Sequence, residues 1–189
     1  MLEIFGVSTL AVAIAEIGDK TQLLAILLAA RFRRPFTILG GILVATLLNH
    51  AAAAALGYVL AQWLESAAFQ VAVGGSFIVM AIWALIPDKP SELSAGRSPR
   101  SVFLTTLILF FLVEIGDKTQ VATSLLAARF SNIWIVTLGT TFGMLLTNAP
   151  AVWLGEAATR ALPIRSMRLA AAALFAALGV WIVVTALSR

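Results

Sequence analysis

The chain has no cysteine, a single histidine and charge on only 12% of its 189 residues. Without cysteine there can be no disulfide, no thiol nucleophile and no thiolate metal site. With His50 alone, an HExxH zinc motif cannot be written, and no serine–histidine pair accompanies the acidic residues. A soluble domain carries about 25% charged residues, roughly twice the share found here. With 61% hydrophobic residues and a mean hydropathy of +1.00, the composition is that of an integral membrane protein. The net charge of +4 does not point to nucleic acid, because no long basic run is interleaved with aromatics.

What is present is a series of apolar segments. At about 20 residues per span, six helices with short loops nearly use up the chain, leaving no room for a large domain outside the bilayer. The predicted spans run from about Ile4 to Ala30, Phe36 to Ala61, Phe69 to Ile86, Val102 to Ala128, Ile133 to Leu154 and Met167 to Leu187. Met1-Leu2-Glu3 lacks the basic start of a signal peptide, so the first segment is expected to be a retained helix. The five tryptophans fall mostly near predicted span ends, as interfacial anchors do.

Within the first and fourth spans lies the same heptapeptide, Glu-Ile-Gly-Asp-Lys-Thr-Gln, at Glu16–Gln22 and Glu114–Gln120. The offset of 98 (114 minus 16) also aligns Leu27–Phe32 with Leu125–Phe130, Gly41 with Gly139, Phe77 with Phe175 and Trp83 with Trp181. A gapless register of this length marks a duplication. The expected organisation is a three-helix repeat over residues 1–87, a linker over 88–100 and a second repeat over 101–189.

Three spans per repeat is an odd number, so the second copy is predicted to enter the membrane inverted. The loops after spans one, three and five carry Arg31, Arg33, Arg34, Lys89, Arg97, Arg100, Arg160, Arg165 and Arg168, against Arg129 and Arg189 on the other side. Nine against two places the basic loops, including the central one, in the cytoplasm and both termini outside. The fold class expected is therefore an all-α membrane protein with six transmembrane helices in two inverted three-helix repeats. That architecture is common among secondary transporters, whose sites lie near the midplane where the repeats meet.

A charged side chain at a bilayer centre costs roughly 2.5–3.5 kcal/mol on insertion scales, and each heptapeptide holds three. On a continuous helix, Glu16, Asp19 and Lys20 share one face, and Glu114, Asp117 and Lys118 repeat the pattern. Facing each other, the two copies would bring four carboxylates and two charge-balancing ammonium groups together, a formal charge of −4 + 2 = −2. Such a site suits one divalent cation of the kind that prefers oxygen ligands, Mn²⁺, Ca²⁺ or Mg²⁺. A carboxylate there can trade a proton for a metal ion, a simple basis for antiport. A Glu–Lys pair at i, i+4 would by itself explain Lys20 but leave Asp19 unaccounted for, twice.

Gly18 and Gly116 have two readings: local unwinding, as in discontinuous transporter helices, or close helix packing. If the helix unwinds, Thr21 and Thr119 can also reach the site. Gln22 and Gln120 flank the aspartates, and Asn49 and Asn148 on spans two and five are further candidate ligands or interhelical hydrogen-bond partners. His50 fits a structural hydrogen bond better than a proton relay, because its repeat partner is Asn148. Gly139-Thr-Thr-Phe-Gly143, Gly40-Gly41 and Gly74-Gly75 read as internal packing.

Two copies of Glu-φ-Gly-Asp-Lys-Thr on the first and fourth of six helices give the sequence a specific likeness. It resembles the Gdt-type cation transporter family, also classed as the calcium:proton antiporter-2 family, which includes bacterial Mne-type manganese exporters. Glu16, Gly18, Asp19, Lys20 and Thr21, and Glu114, Gly116, Asp117, Lys118 and Thr119, match at every position. The resemblance implies transport of Mn²⁺, with Ca²⁺ the other candidate, in exchange for protons, with the motif acids as ligands. It implies a multi-pass protein of the plasma (inner) membrane with no bound cofactor. The bilayer and the divalent ion are the expected partners; nothing in the sequence indicates a homo-oligomer. Two other readings stand beside it: an exporter of cationic organic solutes such as basic amino acids, and an intramembrane enzyme acting on a lipid. The compact oxygen-rich motif argues against the first, and the lack of a nucleophile pair or an arginine cluster at membrane depth against the second.

Overall fold

The computed structural model describes residues 1–63, 66–86, 102–154 and 164–188, all built from helices and short turns. In chain order these are α1 (Leu2–Glu16), α2 (Lys20–Phe32), α3 (Pro35–Trp63), α4 (Ala67–Ala84), α5 (Val102–Glu114), α6 (Lys118–Phe130), α7 (Ile133–Leu154) and α8 (Ile164–Leu187). The central linker, Arg160 and Arg189, on which part of the loop-charge argument rests, lie outside the described residues.

Among the described residues the six expected spans thus map onto eight helices. The first and fourth are not continuous: each is cut at its heptapeptide into two half-helices. The expectation of one helical face for each motif is corrected accordingly. At 1.5 Å rise per residue the halves are each about 20 Å long, too short to cross a membrane singly. By length and composition, Pro35–Ala61 and Ile133–Leu154 each suffice alone.

Local chemistry ends and starts the helices in matched ways. Arg33 and Ser131, equivalent in the two repeats, adopt the left-handed conformation (φ 52° and 51°). Their N–H groups donate to Ala29 O and Ala127 O, closing α2 and α6. Pro35 then opens α3 at a first-turn position that needs no N–H. The Asn132 side chain accepts from Ile135 N at 3.0 Å at the start of α7, and Ser66 Oγ accepts from Phe69 N at 3.1 Å at the start of α4.

The repeats interdigitate. A Cβ on Gly139 would meet Phe5 O at 2.8 Å, and one on Gly41 would meet Phe103 O at 2.9 Å. These are the same contact made once by each repeat on the other (41 + 98 = 139; 5 + 98 = 103). Further along, Gly143 packs on Thr9 and Ala13, and Gln22 reaches Thr147. On the other side Asn49 reaches Phe111 and Ser124 reaches Ala53. So α7 runs parallel to the α1–α2 span, and α3 parallel to the α5–α6 span. Equivalent helices instead pair antiparallel. Phe36 at the start of α3 stacks edge-on against Trp153 near the end of α7. Gly74 and Gly179 pack on each other's carbonyls, and Phe77 lies against Phe175, between α4 and α8.

The outer face is widely apolar, and many hydroxyl and amide side chains share the interior with the apolar core. Thr9, Thr46, Thr106, Thr137, Thr140 and Asn148 are buried, while Leu47, Leu56, Val79, Leu104, Ile108, Leu138 and Val184 face outward. An apolar exterior around a hydroxyl-rich interior is the surface of a protein solvated by lipid. Among the tryptophans, Trp83, Trp134 and Trp153 sit near helix ends, as expected of anchors; Trp181 lies within α8, under the Arg129 guanidinium at 4.9 Å.

Packing by small residues accounts for Gly41, Gly74, Gly139 and Gly143 but not for Gly75, which faces open space. Gly57 is the tightest case, because an added Cβ would run into the Ser124 carbonyl. Gly57→Ala should therefore destabilise the protein by about 1–3 kcal/mol. Gly75→Ala should be neutral or stabilise by up to about 1 kcal/mol through helix propensity. Thermal unfolding in detergent checks both; equal melting shifts would contradict this packing.

Candidate functional site

The site is built by two helix breaks. Glu16 and Glu114 are the last residues of α1 and α5, and Asp19 and Asp117 are the N-caps of α2 and α6. Between them Gly18 and Gly116 take positive φ values of 79° and 73°, a region that an L side chain enters only at a cost. A Cβ on Gly116 would meet nothing within 4 Å. Of the two readings of this glycine, unwinding is therefore the one realised. The breaks are near copies: Asp19 and Asp117 have φ/ψ of −80°/168° and −77°/165°, and each donates its N–H to the preceding glutamate carbonyl at 3.1 Å.

The repeated spacing within the heptapeptide has a local explanation. Gln22 Oε1 accepts from Gly18 N at 2.9 Å, and Gln120 Oε1 accepts from Gly116 N at 2.6 Å. Each glutamine replaces, for the N–H orphaned by the break, the carbonyl a continuous helix would have supplied. Gln22 Nε2 also donates to Thr147 O on α7 at 3.2 Å. With their side-chain oxygens so engaged, Gln22 and Gln120 act as clamps of the turn. Thr21 Oγ1 donates to Glu16 Oε2 at 2.7 Å and sits 3.5 Å from Asp19 Oδ2, tying the two acids of one motif together. Thr119 Oγ1 makes the corresponding bond to Glu114 Oε2 at 3.4 Å.

The two motifs meet. Glu16, Asp19 and Asp117 are buried and each offers an oxygen within 4.8 Å of the others'. Glu16 also feels the charge of Glu114, and Glu114 that of Asp117, Asp19 and Lys20. Lys20 Nζ bridges the repeats to Asp117 Oδ1 at 2.6 Å. Lys118 donates to Ile86 O at the end of α4 at 3.2 Å and lies 5.9 Å from the Trp83 ring centre. Trp83 and the Thr147 and Ile86 carbonyls are partners the sequence reading missed.

The donor set fits an oxygen-loving cation. Glu16 Oε1 and Glu114 Oε1 are buried and have no hydrogen-bond partner among the described residues, and neither has Asn148 Oδ1. An orphaned buried carboxylate oxygen is costly unless something cationic or a proton meets it. The asparagines diverge: Asn49 Nδ2 donates to Phe111 O at 3.1 Å as an interhelical bond. Asn148 Nδ2 instead turns to Met144 O of its own helix at 3.0 Å, leaving Oδ1 over. His50 is fully buried, but neither ring nitrogen has a hydrogen-bond partner among the described residues, so the structural hydrogen bond expected of it is not made.

Paired half-helices with acids at both breaks, inside an apolar-surfaced helical body, define a membrane transporter of cations. Comparison with known proteins agrees. The family described as "Divalent cation/proton antiporter GDT1" matches residues 4–92 and 102–189, and the chain belongs to it. It is a transporter and not an enzyme. A Vibrio cholerae serotype O1 protein named "Putative manganese exporter" is 45% identical over 177 residues, 93% of this chain and 88% of that one. GDT1-like protein sll0615 of Synechocystis is 27% identical, covering 82% of this chain and 84% of its own. GDT1-like protein 4 of Oryza sativa subsp. indica is 26% identical over 80% of this chain and 63% of its own. No solved structure matches.

Since the break needs a positive φ and not space, Gly116→Ala should cost about 1–2 kcal/mol, and Gly116→Asn less, because asparagine tolerates that region. Melting temperatures of the two variants rank them; alanine as stable as wild type would mean the break is not held in this conformation.

Proposed function

We propose that this protein exports divalent cations, Mn²⁺ foremost and Ca²⁺ second, in exchange for protons, by alternating access around Glu16, Asp19, Glu114 and Asp117. The observation that carries the reading is the meeting of both motifs at one buried place with glutamate oxygens left unpartnered. Hard and intermediate cations take such oxygens, and a carboxylate that releases the ion can take up a proton. Asn148 Oδ1 is a further candidate ligand, and Thr21 and Thr119 orient the glutamates. Mn²⁺ is placed first because the 45% identical Vibrio relative carries a manganese exporter's name.

The breaks suit this task electrically. The N-termini of α2 and α6 favour the negative charge of Asp19 and Asp117, while the C-termini of α1 and α5 turn their negative ends toward a cation. Two inverted three-helix repeats supply the moving parts. Support for inversion comes from the antiparallel pairing of equivalent helices, α3 with α7 and α4 with α8, which a two-fold axis across the helices produces. The nine-to-two loop charges then favour a cytoplasmic central loop in the plasma membrane.

Proteoliposomes with an imposed pH gradient test this directly. Wild-type protein should move Mn²⁺ at a rate that follows the gradient, while Glu16→Gln and Asp117→Asn abolish flux yet elute as folded protein. Undiminished flux in both variants would sink the site assignment; flux indifferent to the gradient would sink the proton coupling.

A further inference from the structure

Lys20 stands where a cation belongs. Its Nζ is 2.6 Å from Asp117 Oδ1, and Asp117 is one of the three acids whose oxygens converge within 4.8 Å. The ammonium comes from one repeat and the carboxylate from the other, and Asp19 and Glu114 add their attraction to that of Asp117. Its burial differs from that of its partner: the Lys20 side chain is 20% exposed against 5% for Asp117. A long, flexible side chain at the edge of the cluster can withdraw without unpacking the core.

We propose that Lys20 is a tethered cation that occupies the carboxylate cradle between transport events and makes it selective for divalent over monovalent ions. The inference rests on the transport reading above and adds a selectivity device to it. Its basis is an exchange of charges. A monovalent ion that displaces the ammonium replaces one positive charge by one, loses a formed short ion pair and gains nothing electrostatically. A divalent ion replaces one charge by two among the four carboxylates of the motifs. At separations of a few ångströms in a partly buried site, one unit of charge is worth on the order of a hundredfold in binding. The abundant monovalent ions are thereby kept out by a group the protein carries with it.

A purely structural role, in which Lys20 only staples the repeats together, predicts something different, so the two can be told apart. Mn²⁺ binding to the purified full-length protein is measured by calorimetry at constant ionic strength, in choline chloride and again in sodium chloride. Wild type should bind equally in both. Lys20→Gln should bind Mn²⁺ about tenfold tighter in choline and lose most of that gain in sodium, because Na⁺ now competes. Lys20→Arg keeps the charge and should restore indifference to sodium. On the wild-type protein itself, Ca²⁺ should increase amine-reagent labelling of Lys20, read by mass spectrometry, and Na⁺ should not; this measurement stands even if Lys20→Gln does not fold. Lys20→Gln binding that is weaker than wild type, or equally indifferent to sodium, overturns the proposal, as does labelling of Lys20 unchanged by Ca²⁺. Wild-type protein that binds no Mn²⁺ overturns the transport reading along with it.

Discussion

Two glutamates and two aspartates buried inside an apolar helical body are the constraint around which the rest of this protein is arranged. Carboxylates at 0–4% exposure cannot rely on water, so the chain has to surround them with its own donors and positive ends. It does so by breaking two helices. Each break supplies a helix N-terminus for an aspartate, a threonine hydroxyl for a glutamate and a lysine within the same turn. The glutamine clamp on the glycine N–H stops the break from leaving an orphan of its own. At the breaks, among the described residues, the glutamate Oε1 atoms remain unsatisfied, which is where a transported cation or its proton would act.

Bringing the breaks together requires close and exchangeable packing of the repeats. Hydrophobic burial offers little drive between helices already in lipid, so shape and small residues have to serve. Gly41 of α3 against α5 and Gly139 of α7 against α1 make the same contact in both directions, and Gly74 with Gly179 closes α4 on α8. Each repeat is completed by the other: α7 lies along the broken span of the first, and α3 along that of the second. The two breaks are therefore held together by helices from opposite halves of the chain. A site shared between two repeats is what the proposed alternating access asks for.

The ligand candidates separate once their hydrogen bonds are known. Gln22 and Gln120 look like ligands by chemistry, but their side-chain oxygens are spent on glycine N–H groups, while Asn49 and Asn148 donate from their amide nitrogens to Phe111 O and Met144 O. Asn148 keeps its oxygen in hand. Threonine hydroxyls hold the acids in place. These distinctions turn on which atom of a side chain is already engaged, which residue type alone cannot tell.

Much of this protein was legible in its amino-acid order. The duplicated heptapeptide, the gapless offset of 98 and the low charge identify a membrane protein with a paired acidic site, because hydropathy and repetition are properties of the chain itself. The fifth expected span falls on α7, Ile133–Leu154, since a long apolar run marks out its own helix. The continuity of the motif helices was not legible: glycine in a helical pattern permits both packing and unwinding, and only the positive φ and the open space at Gly116 decide between them. Nor was the pairing of Lys20 with Asp117 legible, since within one motif the lysine has nearer acids at Glu16 and Asp19. Its choice depends on where the second repeat places its carboxylate. Sequence determines which charges enter the membrane; the packing of one repeat on the other decides which of them meet, because contacts across 97 residues of chain exist only once the helices have assembled.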